Sequence, residues 1–183
     1  MADIGYLRDI CDADLPLMLD WRNAPSVRAN MFTQHVITLD EPLAWWGRTH
    51  VRVDQSYFIY EHSGVAYGVV AFTSIDRESC NACWAFYADP AAPQGIGARM
   101  ELLALERAFS LLKLHKVCCE VFAFNTPVLR LHQKFGFQIE GTLRDQRAVN
   151  GVHHDVVRLG LLHHEWLAVA PGMRTRIEHL ARG

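Results

Sequence analysis

The chain has 183 residues, of which 50% are hydrophobic and 21% charged, so it can bury a sizeable core and is neither disordered nor fibrous. Eighteen Lys and Arg residues stand against twenty Asp and Glu residues, a net charge of −2 that does not favour a nucleic-acid-binding or membrane-surface protein. We find no internal repeat or flexible linker, and we therefore expect one domain over residues 1–183.

The N-terminal residues and the cysteines indicate the compartment. The first residues lack a basic segment followed by an apolar one, and no later run reaches the roughly eighteen apolar residues of a membrane span. The five cysteines include the adjacent pair Cys118 and Cys119, which does not suit a disulfide framework. We expect a cytoplasmic protein with free thiols.

The first half of the chain predicts helices followed by a hairpin. Residues 4–9 predict a short strand, and Asp12 is a candidate N-cap for helical segments that continue to about Val53. Residues 57–60 and 65–72 are two apolar runs separated by a turn, which is typical of a β-hairpin.

The second half predicts a strand at 83–88, a long and mostly buried helix at 95–112, and a strand at 117–124. A strand, a helix and a strand in this order require a parallel crossover. The remaining predicted elements are a helix at 127–135, strands at 137–149 and 155–162 joined by Asn150-Gly151, and two helical pieces containing Trp166 and Ile177. Together they predict an α/β (α+β) fold with a mixed sheet.

The strand at 83–88 leads through a Pro-rich loop into Gly95-Ile96-Gly97-Ala98 at a helix start. Backbone N–H groups converge at such a start, and the helix dipole favours an anion there, so the segment indicates a phosphate site. It is neither a Walker loop nor a dinucleotide fingerprint, because the required Lys and third glycine are missing. Glycines at a helix start also serve purely conformational needs, which is the alternative interpretation.

A second block ends in Lys134-Phe135-Gly136-Phe137 and begins with Asn125 after a strand. Together, the two blocks and the order of the elements resemble the GNAT superfamily of acyl-CoA N-acyltransferases over 58–161. The resemblance implies that acetyl-CoA binds in a V-shaped opening between strands 83–88 and 117–124. Ala92 stands where the superfamily often has Gln or Arg, so Gln94 is the candidate for that contact. The implied cofactor-binding residues are Phe86, Tyr87, Ala88, Gln94, Gly95, Ile96, Gly97, Ala98, Asn125 and Lys134. Residues 57–161 would form the acetyl-CoA-binding core, 1–53 the substrate side and 162–183 a helical tail.

The N-terminal half carries a closer resemblance. With Leu131-His132 and 135–141, it is similar to the UDP-4-amino-4,6-dideoxy-N-acetyl-β-L-altrosamine N-acetyltransferases of pseudaminic acid biosynthesis, which serve flagellin glycosylation. Pro42 departs from the pattern, since a His is expected there. The candidate substrate-binding residues are Arg22, Asn23, Arg28, Met31 and Trp45. The two arginines can bind phosphate oxygens, or they can simply be solvated at the surface. Trp45 can stack on a base or sugar, or it can pack in the core.

Acetyl transfer needs a base for the amine and an acid for the departing thiolate. Glu120 lies in an apolar strand, where we expect it to be buried and to act as the base through a water that Ser74 helps to hold. In the superfamily a Tyr commonly protonates the thiolate at the position of His132, so His132 is the candidate acid and Tyr87 the reserve. The N–H groups of 86–88 would polarise the carbonyl. A structural hydrogen bond for Glu120 and an ordinary helix position for His132 are the alternatives.

Other features are set aside or left open. Cys80-x-x-Cys83 and the paired histidines 153–154 and 163–164 suggest a metal, but adjacent strand residues point to opposite faces, so we expect none. The competing functions are a RimL-like protein or polyamine N-acetyltransferase and a non-catalytic acyl-CoA-binding module. For the nucleotide-sugar N-acetyltransferase, we expect a small-molecule substrate. The resemblance also allows a homodimer.

Overall fold

The computed structural model describes residues 3–181. Its strands are β1 (Tyr6–Asp9), β2 (Ser56–His62), β3 (Val65–Asp76), β4 (Asn81–Ala88), β5 (Lys116–Phe122), β6 (Gln138–Val149) and β7 (Val152–Leu162). Its helices are α1 (Leu15–Asn23), α2 (Pro25–Arg28), α3 (Asp40–Thr49), α4 (Ile96–Glu106), α5 (Thr126–Lys134) and α6 (His163–Leu180). The strands form one sheet in the order β1-β2-β3-β4-β5-β7-β6. The predicted mixed α/β fold is confirmed.

The only parallel pair in the described sheet, β4 and β5, separates soon after it begins. The two strands pair over residues 81–83 and 116–118 and nowhere beyond. The rest of β4 pairs with β3, and β5 pairs with β7 along 116–122, so each strand is held by its other neighbour. A V-shaped opening therefore lies between them, where the sequence resemblance implied it.

The two faces of the sheet carry different cores. One face packs against α4, α5 and α6 through a large cluster that includes Trp84, Leu105 and Leu159. The other packs a smaller cluster, with Trp21 of α1 and Val69 of β3, beneath the N-terminal helices. Since side chains alternate along a strand, neighbouring residues of β4 and β5 serve opposite faces.

Several element boundaries differ from the prediction. The helical N-terminal region is interrupted by irregular residues 29–39. The long central helix is α-helical only to Glu106 and ends in a π-turn, Arg107–Leu111. The two C-terminal pieces form one helix, α6, with Pro171 inside it. That helix continues because Trp166 and Ile177, each 3% exposed, anchor both of its halves in the core, while a proline removes only one backbone donor.

Among residues 3–181, no helix combines the length and the apolar character needed to cross a membrane.

Helix α4 approaches the sheet so closely that β3 needs a glycine at the contact. A Cβ atom on Gly68 would lie 2.7 Å from Met100 Cε and 2.7 Å from the backbone oxygen of Tyr87. The methionine could move, but the backbone oxygen belongs to the neighbouring strand and cannot. Gly68 therefore sets how closely α4 and its N-terminal turn lie against β4.

We expect Gly68→Ala to lower the free energy of unfolding by about 1–3 kcal/mol, because overpacking forces backbone shifts. Urea denaturation would measure this. Gly141→Ala in β6 is the control: its Cβ would meet nothing within 4 Å, so its effect should stay within about 0.5 kcal/mol. Equal effects of the two substitutions would contradict the close approach of α4.

Candidate active site

Two cavities meet at the end of β4. A cavity of about 770 Å³ lies between the N-terminal helices and strands β2–β4, and one of about 300 Å³ lies in the opening between β4 and β5. Both are lined by Met31, Ala85, Phe86 and Tyr87. A group bound in the smaller cavity can therefore meet a group bound in the larger one at these residues.

The smaller cavity and the start of α4 together offer the features that a long, phosphate-bearing thioester requires. Because β4 leaves β5 after Cys83, the backbone of 84–88 has no β5 partner and can pair with an extended ligand. Gly95 caps α4 with a φ of +90°, a left-handed conformation that favours glycine. The first N–H groups of α4 have no acceptor within the helix and can receive an anion.

The individual residues of this region contribute differently. Ile96 is 3% exposed, so only its backbone can face a ligand, whereas Gln94 is exposed at the turn. Asn125 caps α5 and lines the smaller cavity. Lys134 lies exposed in the last turn of α5 and, like residues 94–98, lines neither cavity, so its role in cofactor binding stays a prediction.

Arg22, Met31 and Trp45 line the larger cavity. The Nη1 atom of Arg22 is buried and, within residues 3–181, has no hydrogen-bond partner. Burial lowers the pKa of Arg22, and the nearby Tyr87 acts in the opposite direction. Trp45 contacts Tyr57 edge to face, with ring centroids 4.8 Å apart, so the cavity that Arg22 lines also presents aromatic surface.

Two predicted substrate residues do not line either cavity. The Asn23 side-chain amide donates to the backbone oxygen of Ile37 and accepts from its N–H, both at 2.8 Å. Its amide thereby ties the end of α1 to the irregular segment before α3, which is a structural role. Arg28 lies half-buried on the short helix α2 and borders neither cavity. The linings of the two cavities do not support either assignment, and substrate binding by Asn23 and Arg28 stays a prediction.

Ser74 also differs from its prediction. The pairing of β3 with β4 is irregular between Thr73 and Asp76, and Ser74 has a φ of +50° there. This irregularity leaves Ser74 exposed and outside both cavities, while Thr73 lines the larger cavity. The structure therefore does not support the predicted role of Ser74 in holding a water, because the β-bulge turns Thr73 rather than Ser74 towards the cavity.

Glu120 lines the smaller cavity but is not buried. Its side chain is 28% exposed, and its Oε1 accepts a hydrogen bond of 3.2 Å from Nη1 of Arg158, which lies opposite it on β7. The expected burial is wrong because β5 has already separated from β4 at this point. The side chain is instead a carboxylate at the mouth of the opening, held by an ion pair.

His132 is 2% exposed and also lines the smaller cavity. Its Nδ1 lies 2.9 Å from Oε1 of Glu101, a residue of α4 that is fully buried. Glu101 was missed in the sequence analysis. It lies two residues beyond the half-buried Arg99, about 200° around the helix from it, and a carboxylate among the apolar residues of α4 was the signal that could have identified it.

Tyr87 lies where the two cavities meet. Burial raises its pKa strongly, while the charge of Arg22 opposes that rise. A phenol that holds its proton so firmly can donate a hydrogen bond but is a weak proton donor near neutral pH. Of the two candidate acids, His132 therefore fits the chemistry better.

The cysteines and histidines do not form a metal centre in the described part of the chain. Cys118 contacts Cys83 across the strand pair, with the sulfurs 3.2 Å apart, while Cys119 points to the other face. All five cysteines are free, and residues 3–181 hold no group of three or more potential ligands that could bind a metal ion.

Comparison with known proteins gives a family. Residues 6–138 match the acetyltransferase (GNAT) domain family. The chain is 29% identical over 139 residues to acetyltransferase PseH of Campylobacter jejuni, covering 76% of this chain and 86% of that protein. It is 27% identical over 112 residues to spermidine N(1)-acetyltransferase of Escherichia coli K12, covering 61% of this chain and 60% of that protein.

The fold comparison agrees. The crystal structure of spermidine N-acetyltransferase from Vibrio cholerae, in complex with CoA and spermine, matches with a TM-score of 0.84 at 23% identity. The match covers 88% of this chain and 96% of that one. The family match spans most of the chain, including the glycine turn at the start of α4, the diverging strands and Asn125. The chain thus belongs to the GNAT family and is an acetyl-CoA-dependent N-acetyltransferase.

Proposed function

We propose that this enzyme acetylates a nucleotide-linked amino sugar, at the 4-amino group of a UDP-4-amino-4,6-dideoxy-N-acetylhexosamine. Arg22 carries the proposal. Its Nη1 is buried at the larger cavity without a partner among residues 3–181. An arginine's ordinary pKa lies so far above neutral pH that the guanidinium stays charged although burial lowers that pKa. A buried cation without a partner destabilises the free protein, and a phosphate oxygen would satisfy it.

The charges around the larger cavity oppose a polyamine. Two arginines, Arg22 and Arg48, line it, and Glu41 is the only carboxylate among its described lining residues. Glu41 already accepts hydrogen bonds from the Thr38 N–H at 2.8 Å and pairs with His35 at 2.9 Å. A polycation would meet two positive charges and one occupied carboxylate, whereas an anion meets a complementary field.

The aromatic lining suits the remainder of such a substrate. Trp45 and Tyr57 lie on one wall, and Trp45 also contacts Trp46 with ring centroids 5.9 Å apart. A planar base or the apolar face of a deoxysugar can pack on this surface. The volume of about 770 Å³ falls within the range of sites for drug-sized and nucleotide-sized ligands.

The relatives support the family but divide over the substrate. The identities of 29% to PseH and 27% to spermidine N(1)-acetyltransferase are too close to each other to decide between the two substrate classes. The charge of the cavity favours the first, and with it a role in pseudaminic acid biosynthesis and flagellin glycosylation. A polyamine or a protein N-terminus is the second candidate substrate. Because the fold matches that of a spermidine N-acetyltransferase, the experiment below includes both.

In the proposed mechanism, acetyl-CoA supplies the acetyl group as a thioester. The turn at 95–98 binds its pyrophosphate, and backbone N–H groups of β4 beyond Cys83 bind the carbonyl oxygen. Glu120 accepts the proton of the amine through water at the mouth of the opening. His132 donates a proton to the departing sulfur.

The substrate is tested by release of free CoA thiol from acetyl-CoA with three amines: a UDP-4-amino-4,6-dideoxy sugar, spermidine and a peptide N-terminus. We expect turnover confined to the sugar nucleotide. Turnover confined to spermidine or the peptide would overturn the substrate while leaving the family intact. Tight binding of CoA without turnover of any amine would favour a binding module.

Arg22→Met tests the phosphate contact. We expect the KM for the sugar nucleotide to rise about 10- to 100-fold, since a hydrogen bond to a charged group contributes about 1.5–3 kcal/mol. The KM for acetyl-CoA should not change, and the free enzyme should melt at a higher temperature because a buried charge has been removed. Arg28→Met is the matched control, since Arg28 lines neither cavity. An unchanged KM in Arg22→Met would refute the contact.

Glu120→Gln tests the base. We expect kcat to fall by about 10²- to 10⁴-fold, the usual contribution of a positioned acid or base, with acetyl-CoA affinity unchanged. Glu140→Gln is the control, because Glu140 lies 3.8 Å from the same Arg158 but lines neither described cavity. If both variants keep wild-type kcat, solvent rather than Glu120 takes the proton.

A further inference from the structure

A fully buried carboxylate lies in the core beside the opening. Glu101 is 0% exposed in α4, between the buried apolar residues Met100 and Leu102. Within residues 3–181 its Oε1 lies 2.9 Å from His132 Nδ1, and its Oε2 has no partner. Such a carboxylate destabilises a protein, and an apolar residue of similar size would pack there at less cost. Packing alone does not account for a glutamate at this position.

The histidine that Glu101 contacts is held in one orientation. His132 is the buried residue of α5, whose other residues are exposed or half-buried. Its ring centroid lies 5.3 Å from that of Trp84, 6.0 Å from that of Phe86 and 5.3 Å from that of Phe137. With the ring enclosed and Nδ1 held by Glu101, Nε2 is the nitrogen left to act at the smaller cavity that His132 lines.

We infer that Glu101 is a positioning residue for His132: its carboxylate accepts the Nδ1 proton, fixes the orientation of the ring and stabilises the doubly protonated imidazolium, whose Nε2–H is the proton donated to the thiolate of CoA. The inference rests on the acid role of His132 in the proposed function, but not on the identity of the amine. Glu101 itself touches neither the amine nor the thioester and acts through the imidazole.

Acetyl transfer releases one proton from the amine nitrogen and consumes one at the departing sulfur. The amine nitrogen forms a bond to the acetyl carbon, the carbon–sulfur bond breaks, and the sulfur takes the proton from Nε2 of His132. The Glu101–His132 pair passes from a net charge of zero to −1 and regains a proton from solvent after the amine has released one. A carboxylate on Nδ1 stabilises the form of the pair that holds the donated proton.

The groups that face the pair are few. Burial raises the pKa of Glu101, whereas its contact with His132 lowers it. From β5, Cys119 faces Glu101, and burial raises the pKa of that thiol well above its usual value, so it remains neutral. From β4 and the segment after α5, the contacts are Trp84, Phe86 and Phe137, which do not titrate in the accessible pH range. Glu101 and His132 are therefore each other's only ionisable contact that can change charge in this part of the described structure.

Glu101→Gln keeps the shape of the side chain and removes its charge. We expect kcat to fall about 10- to 100-fold, part of the 10²- to 10⁴-fold that proton transfer contributes, with unchanged affinity for CoA and no loss of thermal stability. The pH profile of kcat should change, because the substitution removes the negative charge that faces the imidazole. Glu106→Gln is the control on the same helix, since Glu106 pairs with Arg174 and should leave the profile unchanged.

A second measurement needs no substrate. Nitrogen chemical shifts of the His132 ring, recorded by NMR against pH in the free enzyme, report which nitrogen carries the proton. We expect a proton on Nδ1 in the wild type, in the imidazolium and in the neutral ring alike, because the Glu101 carboxylate accepts from Nδ1, and a mixture of tautomers in Glu101→Gln. Glu101→Asp, which withdraws the carboxylate by one methylene, provides the same readout if the glutamine variant does not fold.

The outcomes separate the two proposals. Wild-type kcat, pH profile and tautomer in Glu101→Gln would overturn the positioning role and leave a structural one. If His132→Gln keeps wild-type kcat, the acid role fails and this inference fails with it. If the wild type acetylates only spermidine or a peptide, the same measurements are made with that amine, and a shifted profile would still support the pairing of Glu101 with His132.

Discussion

The separation of β4 from β5 is the constraint on which the rest of the site depends. Parallel strands normally continue their hydrogen bonds, but here each strand is paired along its other edge, β4 with β3 and β5 with β7. Beyond Cys83 and Cys118 the two backbones diverge. The divergence leaves the β4 backbone free to bind an extended thioester, sets the glycine turn of α4 at the end of the opening, and lets two cavities meet at Met31 and 85–87.

Alternation along the diverging strands divides the chemistry between the two faces of the sheet. Trp84 and Cys119 face the large core, where the Glu101–His132 pair lies, whereas Glu120 points to the same face as Cys118 and Arg158. An acid and a base can therefore approach the opening from opposite sides without neutralising each other. Glu101 is a buried residue and Arg22 a half-buried one, and each has a buried polar atom without a partner in the described structure; natural proteins accept such instability mainly at functional sites.

Much of the fold was predictable because its signals are local. The apolar runs of the hairpin, the Asn150-Gly151 turn and the crossover through α4 all follow from short stretches of sequence. The boundaries were less predictable: the π-turn after Glu106 and the continuity of α6 through Pro171 depend on packing against other elements. The site region shows the same division: the glycine turn at Gly95 follows from its neighbours in sequence, whereas the bonds from Asn23 to Ile37 and the β-bulge at Ser74 do not.

The sequence by itself determined the acetyltransferase family, the glycine turn and the candidacy of His132 and Glu120, because these rest on residue types at fixed spacing along one stretch of chain. Only the tertiary structure decided that Glu101 contacts His132, 31 residues away, that Glu120 pairs with Arg158, and that Arg22 is buried without a partner. Such contacts depend on strand register, a β-bulge and helix packing, which arise from many weak interactions across the whole chain and leave no pattern in any one segment.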